Sequence, residues 1–328
     1  MKAAYYDRTG SARDVLVVGH ADEPQVGPGE VLVRVHASGV NPSDVKLRAG
    51  MRAGGMPFPR IIPHSDGSGV VIAVGVGISP SRIGERVWLW NAQWGRADGT
   101  AASLVVLPSE NAVPLPDRAT FESGACLGIP ALTTHACLSL DGPLGEKTVL
   151  VMGGAGTVGA LAVRMAKLKG AYVIATANGE AQRTRVVRAG ADAVVSHRSA
   201  TFIEEVKAAA GARRIDHVVE VEFGANIFAV SELISPGGVI ATYGSAASPA
   251  PVVPFFTLLF KGVTVRHVLV YILPDKQRFC AIADINRWLA SSDLVPEIAK
   301  TLPLARIAEA HELVERGGKL GSIVISIS

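Results

Sequence analysis

Cysteine is scarce. The 328 residues hold three, Cys126, Cys137 and Cys280, far apart and with no CxxC pair. That spacing excludes a zinc ribbon, and the sparse, odd count fits a reducing cytoplasm. Charge of one sign is also missing. The formal net charge is +3 with no block of like charges, which argues against a nucleic-acid partner. The opening "MKAAYYDRTG" holds no apolar signal segment. The most apolar stretch, 252–265, is broken by Pro254 and Lys261 and is too short to span a bilayer, so no membrane partner is expected. No internal repeat and no low-complexity tract is present. Hydrophobic residues at 48% against 19% charged residues describe a folded globular chain of one large or two ordinary domains.

The first 110 or so residues read as strands. "EVLVRVHASGV" (30–40), "GVVIAVGVG" (69–77), "RVWLW" (86–90) and "SLVVLP" (103–108) are β-branched and bounded by Gly, Pro or Asn. A loop-like "RAGMRAGGMPFPR" (48–60) separates the first two. From about Phe121 the pattern changes to a helix-like stretch, in which Cys126 and Cys137 read as small core residues. Strands and helices then alternate. Strands are expected at 148–153, 172–177, 193–197, 217–221 and 239–244, and helices at 158–169, 181–189, 202–210 and 227–234. Such alternation implies βαβ units around a doubly wound parallel sheet, an α/β fold. "VTVRHVLVYI" (263–272) reads as a further strand, and the tail as helices near 276–291 and 306–316 with a closing strand at 322–327.

Within "VLVMGGAGTVG" (149–159), Gly154, Gly156 and Gly159 fit GxGxxG between a buried-looking strand and a helix. The first glycine suits a tight turn, the second the approach of a pyrophosphate to the main chain, and the third close helix–strand packing. The helix start offers unpaired N–H groups to the phosphates. An NAD site usually carries Asp or Glu at the end of the second strand, to accept from the adenosine ribose. Here the residues are Thr176, Ala177 and Asn178. Arg183 and Arg185 follow, and a guanidinium binds phosphate as a bidentate fork. NADPH is therefore the expected cofactor, although Glu180 lies near enough to swing back toward the ribose.

The chain resembles the zinc-independent medium-chain dehydrogenase/reductases, specifically the NADPH:quinone oxidoreductase (zeta-crystallin-like) group. The resemblance runs nearly end to end, through "GVNPSDVKLRAG" (39–50), "SDGSGVVIAVG" (65–75), "LPSENAVPLPD" (107–117), "ALTTHACL" (131–138), the glycine segment and "GKLGSIVI" (318–325). It implies a GroES-like β-rich catalytic domain over 1–122, completed by 273–328, and a Rossmann NADPH-binding domain over 123–272. It also implies a homodimer and a nicotinamide cleft between the domains. Zinc-dependent members place Cys, a His-Glu pair and Cys where this chain has Asn41, Ser65-Asp66 and Ile129, with His64 one place out of register. No metal is expected.

Hydride would then pass from NADPH to a quinone or related α,β-unsaturated carbonyl, while the protein orients both and stabilises the developing oxygen charge. The resemblance puts Asn41 beside nicotinamide and substrate, as the catalytic donor and a cofactor contact. It puts Ala155, Gly156, Thr157 and Val158 on the diphosphate, and Asn178 and His197 at the adenosine end, with Arg183 nearby. Gly224, Tyr243, Gly244, Ser245, Val268, Leu269 and Val270 fall near the nicotinamide half. Lys46 stands where the family often has Tyr, and is taken as a phosphate contact or a solvated lysine. The family's "GTYAEY" is "GTAASL" (99–104) here, its usual Lys after the second strand is Gln182, and "WLWNAQWGRADG" (88–99) walls a pocket or simply packs. Two alternatives stay open: an enoyl-thioester reductase, and a non-catalytic nucleotide-binding protein of crystallin-like or RNA-associated role.

Overall fold

Glu30–Val40 is the longest strand and organises the first unit. Val31, Val33 and Val35 are buried while Arg34 and His36 are exposed, the period of two that a half-covered sheet imposes. From Ala37 to Val40 every residue is buried. Gly39 has no room for a side chain there, since a Cβ would lie 2.0 Å from the carbonyl oxygen of Ala125. Along one edge the strand pairs antiparallel with Asp66–Val74. Its other edge is shared: Leu104–Pro108 takes the first half, and Ser322–Ser326 from the chain's end takes the second. The tail therefore closes this sheet, as the resemblance alone implied.

The computed structural model describes residues 1–51 and 54–327; Arg52 and Ala53 of the loop-like stretch, and Ser328, lie outside the described residues. Two compact units form, Met1–Ile129 with Ile282–Ser328, and Pro130–Ala281. The expected divisions, after 122 and after 272, fall somewhat earlier in the chain. Residues up to Ile129 go with the first unit because the Ile129 N–H is bonded to the carboxylate of Asp66.

The second unit is a six-stranded parallel sheet in the order Ala193–Val195, Tyr172–Thr176, Thr148–Val151, Ile215–Glu220, Val239–Thr242, Thr264–His267. Thr148–Val151 is buried throughout, so it reads as an unbroken apolar run rather than an alternating one. Sheet order reverses between Thr148–Val151 and Ile215–Glu220, the switch point outside which open α/β sheets bind ligands.

The last strand is shorter than its sequence suggests. It stops at His267 because the strand it pairs with, Val239–Thr242, ends there. Val268 donates one more bond to the Thr242 carbonyl (2.8 Å), and Val270–Ile272 turns into a 3-10 segment. The apolar stretch after Pro254 contains a helix, Phe255–Lys261, with no fully buried residue. Among the described residues no helix is long and apolar enough to cross a membrane.

Candidate functional site

The glycine turn follows Thr148–Val151 and opens the helix Thr157–Leu168. Its left-handed residue is Gly153 (φ 68°), rather than Gly154, to which the motif assigns the tight turn. Two bonds tie the turn to the neighbouring strand: Gly153 N–H to Thr176 Oγ1 (2.8 Å) and Gly154 N–H to Thr176 O (2.9 Å). Gly154 is needed for packing, since a Cβ would sit 2.9 Å from the Cβ of Ala175. On Gly159 it would sit 2.1 Å from Gly153 O, so the third glycine does bring helix and strand together. On Gly156 it would meet only Gly153 O, at 3.3 Å, and otherwise open space. That is the cradle a pyrophosphate needs, in line with the first-turn N–H groups of a twelve-residue helix.

Arg185 does not belong to a phosphate site. It is 5% exposed, and its guanidinium donates to the Ala155 carbonyl at 3.0 Å. It braces the turn from behind. Arg183 is exposed on the helix Glu180–Ala189, where Glu205 lies within its electrostatic reach.

At the end of Tyr172–Thr176, Asn178 is held on three sides. Its N–H donates to Gln182 Oε1 (2.8 Å), Ser196 Oγ donates to its Oδ1 (2.8 Å), and its Nδ2 lies 3.2 Å from the His197 ring nitrogens. His197 is exposed at its surface, yet desolvation of the ring and then Arg198 hold its pKa below the ordinary histidine value. Asn178 and His197, which the resemblance puts at the adenosine end, are thus direct neighbours in a neutral cluster. Glu180 is exposed in the first turn of the following helix.

A second group gathers at the ends of Ile215–Glu220 and Val239–Thr242. Phe223 N–H donates to Gly244 O (2.9 Å), Gly224 N–H to Ser245 Oγ (3.0 Å), and Ser245 Oγ to Ser248 O (2.5 Å). Gly224 is a packing glycine, because a Cβ would lie 2.6 Å from that of Ser248. Burial pushes the Tyr243 phenol up. Val268 and Val270 are buried and Leu269 is exposed. Sequence reasoning missed Glu220 here. It is fully buried, and its Oε1 accepts from Glu222 N–H (2.6 Å) and Asn226 Nδ2 (2.9 Å). Among the described residues its Oε2 has no hydrogen-bond partner, and burial raises the carboxyl pKa. An acid ending the apolar run "HVVE" was the available signal.

In the first unit, Asn41 caps the helix Pro42–Arg48. Proline at the first helical position and Asp44 at the third define that start. Asn41 N–H donates to Asp44 Oδ2 (2.8 Å), and its side-chain Nδ2 donates to Asp66 Oδ2 (2.8 Å). Asp66 is fully buried, and both its oxygens also accept from Ile129 N–H at 2.9 Å. Burial pushes its carboxyl well above the usual range, against the pull of these donors. Lys46 is exposed on the same helix.

Asn41, Asp66 and Ile129 are the positions that the resemblance equates with ligands of the zinc-dependent members. Here they meet as an amide, a carboxyl and a backbone N–H bonded to one another, a donor set that does not suit zinc. Among the described residues no three His, Cys, Asp or Glu side chains are grouped to hold an ion. His64 (φ 81°) is buried in a polar chain, with its Nδ1 2.7 Å from Ser38 Oγ and its Nε2 3.0 Å from His311 Nε2.

Residues 27–117 match the alcohol dehydrogenase GroES-like domain, and residues 157–285 match the family model described as zinc-binding dehydrogenase. A quinone oxidoreductase of Rattus norvegicus is 30% identical over 302 residues, covering 90% of this chain and 88% of that protein. Among solved structures, an NAD-dependent alcohol dehydrogenase superposes with a TM-score of 0.91 at 29% identity, over the whole of both chains. A mycobacterial protein complexed with NADPH superposes with a TM-score of 0.87 at 26% identity, again over both whole chains. With a Rossmann sheet, a glycine cradle at its switch point and a GroES-like sheet closed by the tail, the chain belongs to the quinone oxidoreductase family of the medium-chain dehydrogenase/reductases.

Proposed function

We propose that the protein is an NADPH-dependent reductase that transfers hydride to quinones or related α,β-unsaturated carbonyls without a metal. The observation that carries this reading is the Asn41–Asp66 pair: a buried, oriented amide stands where a Lewis acid would need ligands. Such acceptors suit it, because resonance already spreads the arriving charge and a hydrogen-bond donor can stabilise the rest. One Nδ2 hydrogen of Asn41 is held by Asp66, and the other donates to the acceptor oxygen.

The cofactor, when bound, supplies the hydride. Ala155, Gly156, Thr157 and Val158 hold its diphosphate. Asn178, His197 and Arg183 take the adenosine end, where the lack of a carboxylate favours a 2′-phosphate, and Lys46 serves as a further phosphate contact. Gly224, Tyr243, Gly244, Ser245 and Val268–Val270 frame the nicotinamide half. The relative described as NAD-dependent leaves this preference to be measured on the protein itself. The test is a fluorescence titration with NADPH and NADH, followed by oxidation assays with a quinone and an enone. Tight NADPH binding with turnover supports the reading; binding without turnover overturns it in favour of a non-catalytic nucleotide-binding role.

The working form is a homodimer. Phe255, Phe256, Leu259 and Phe260 stand exposed, Phe260 at 83%, beside the open edge strand Thr264–His267. Apolar area of this kind beside unpaired strand backbone calls for a covering surface, and a second copy supplies one. Cysteine usage fits the cytoplasm: Cys126 and Cys137 are buried, with thiols pushed up by burial, and all three cysteines are free.

A further inference from the structure

Asp66 is held with unusual rigidity for a residue that makes no contact of its own with a reactant in the proposed reaction. Its Cα is registered against Gly39 in the sheet. Both carboxylate oxygens accept from Ile129 N–H. The carboxyl is also walled in, since a Cβ on Gly128 would lie 2.1 Å from Asp66 Oδ1. Its peptide carbonyl accepts from Thr100 Oγ1 at 2.5 Å.

That last bond fixes a whole chain of protons. Thr100 gives its only hydroxyl proton to Asp66 O, so it must accept from Ser38 Oγ, 2.7 Å away. Ser38 in turn accepts from His64 Nδ1–H at 2.7 Å, which leaves His64 Nε2 as an acceptor for His311 Nε2–H at 3.0 Å. All five groups are buried. A directed run of hydrogen bonds therefore ends on the backbone of Asp66, and the carboxyl of Asp66 ends on the amide of Asn41.

We propose that Asp66 is the positioning residue of the active site: its carboxylate decides which end of the Asn41 amide faces the reactants. The proposal rests on the catalytic reading of Asn41 and deepens it. An amide can present either its oxygen or its NH2, and nothing in a side chain's shape distinguishes the two. In its ionised form, which the donors Ile129 N–H and Asn41 Nδ2 favour against burial, the carboxylate accepts only from the NH2 end, so it turns Asn41 one way. Asp66→Asn reverses this logic. Its Oδ1 stays on Ile129 N–H, its own NH2 faces Asn41, and Asn41 must answer with its oxygen. Volume and burial are kept and only the second of the two Ile129 N–H contacts is lost, while the presented group is inverted.

The experiment compares Asn41→Ala, Asp66→Asn and the exchanged pair Asn41→Asp/Asp66→Asn, by quinone-dependent NADPH oxidation and by thermal melting. The exchanged pair rebuilds the buried bond in reverse, from an amide at position 66 to a carboxylate at position 41, but leaves no amide donor for the reactants. Expected are a fall in kcat of about 10- to 100-fold for Asp66→Asn, the size lost when orientation alone is disturbed, with quinone KM and NADPH affinity nearly unchanged. The exchanged pair should recover the melting temperature and not the turnover. If Asp66→Asn cannot be purified, Asp66→Ser takes its place: a hydroxyl both donates and accepts, so it no longer dictates the Asn41 amide, and kcat should again fall with quinone KM nearly unchanged, whereas wild-type kcat would overturn the positioning role.

Recovery of both stability and turnover in the exchanged pair, which has no amide at position 41, would remove the catalytic reading of Asn41 and the positioning role with it. Wild-type kcat in Asp66→Asn beside a damaged Asn41→Ala would likewise overturn the positioning role while sparing the catalytic reading. Full activity in Asn41→Ala would remove both.

Discussion

A Cβ placed on Gly159 would lie 2.1 Å from the carbonyl oxygen of Gly153, closer than any carbon can approach it. The first turn of the helix Thr157–Leu168 therefore rests directly on the end of the strand before it. Gly159→Ala must push helix and turn apart. The expected cost is about 1–3 kcal/mol of stability, the range for overpacking a tight contact, together with loss of NADPH affinity. Urea melts and a fluorescence titration check the two effects. A variant that binds NADPH normally would show that this contact does not shape the cradle.

Arg183 and Arg185 are two residues apart and have opposite tasks. Arg185 is buried on Ala155 O, so Arg185→Met leaves that carbonyl without this donor and costs about 1–3 kcal/mol. Both coenzymes should then bind less well. Arg183 is exposed, so Arg183→Glu should leave the melting midpoint in place and erase the preference for NADPH over NADH. Retention of the preference would remove Arg183 from the phosphate site.

Acid should weaken the first unit through His64 and His311. Burial lowers the pKa of His64 from 6.5 to about 3. His311 is also well below its ordinary value, through burial and then His64 and Arg48. The folded state thus refuses protons that the unfolded chain accepts below its pKa of 6.5. The stability these groups contribute is complete above that value and is lost as pH falls toward about 3. Protonating His64 also sets two N–H groups against each other across the 3.0 Å contact. Asp66 acts with the opposite sign. Its raised folded pKa favours the folded state at low pH, and that contribution fades as pH rises through the folded value. Urea midpoints should fall between pH 7 and pH 5, and fall less in His64→Asn, which tolerates the left-handed backbone at that position. An identical pH slope in the variant would show that these rings do not govern the acid limb.

Phe256→Asp with Phe260→Asp places two charges on the exposed apolar helix Phe255–Lys261. Sedimentation equilibrium should move from dimer to monomer, with the thermal midpoint of the second unit little changed. A wild-type protein that is monomeric throughout would refute the proposed interface.

Much of the fold was written locally. The strand at 30–40 and the helix at 202–210 coincide with their expected limits, because alternation and helical spacing are short-range signals. The glycine turn was legible in place but not in detail. Gly153 carries the left-handed turn because Thr176, on the next strand, fixes where the chain bends. The end of the strand Thr264–His267 depends on where its neighbour stops, so an apolar run to 272 misled. Arg183 and Arg185 look alike in the chain, and only the carbonyl of Ala155 tells them apart. Glu220 and the Asn41–Asp66 bond share that origin: each rests on a partner supplied by the fold, 25 residues away in the case of Asn41.

The most direct measurement mixes chelator-treated protein with NADPH and a benzoquinone, without oxygen, and follows nicotinamide absorbance against time. NADPH oxidation should depend on the quinone, run slower with NADH and be indifferent to added zinc. Failure to bind either coenzyme at millimolar concentration, or turnover that appears only when zinc is restored, would contradict a metal-free NADPH-dependent reductase.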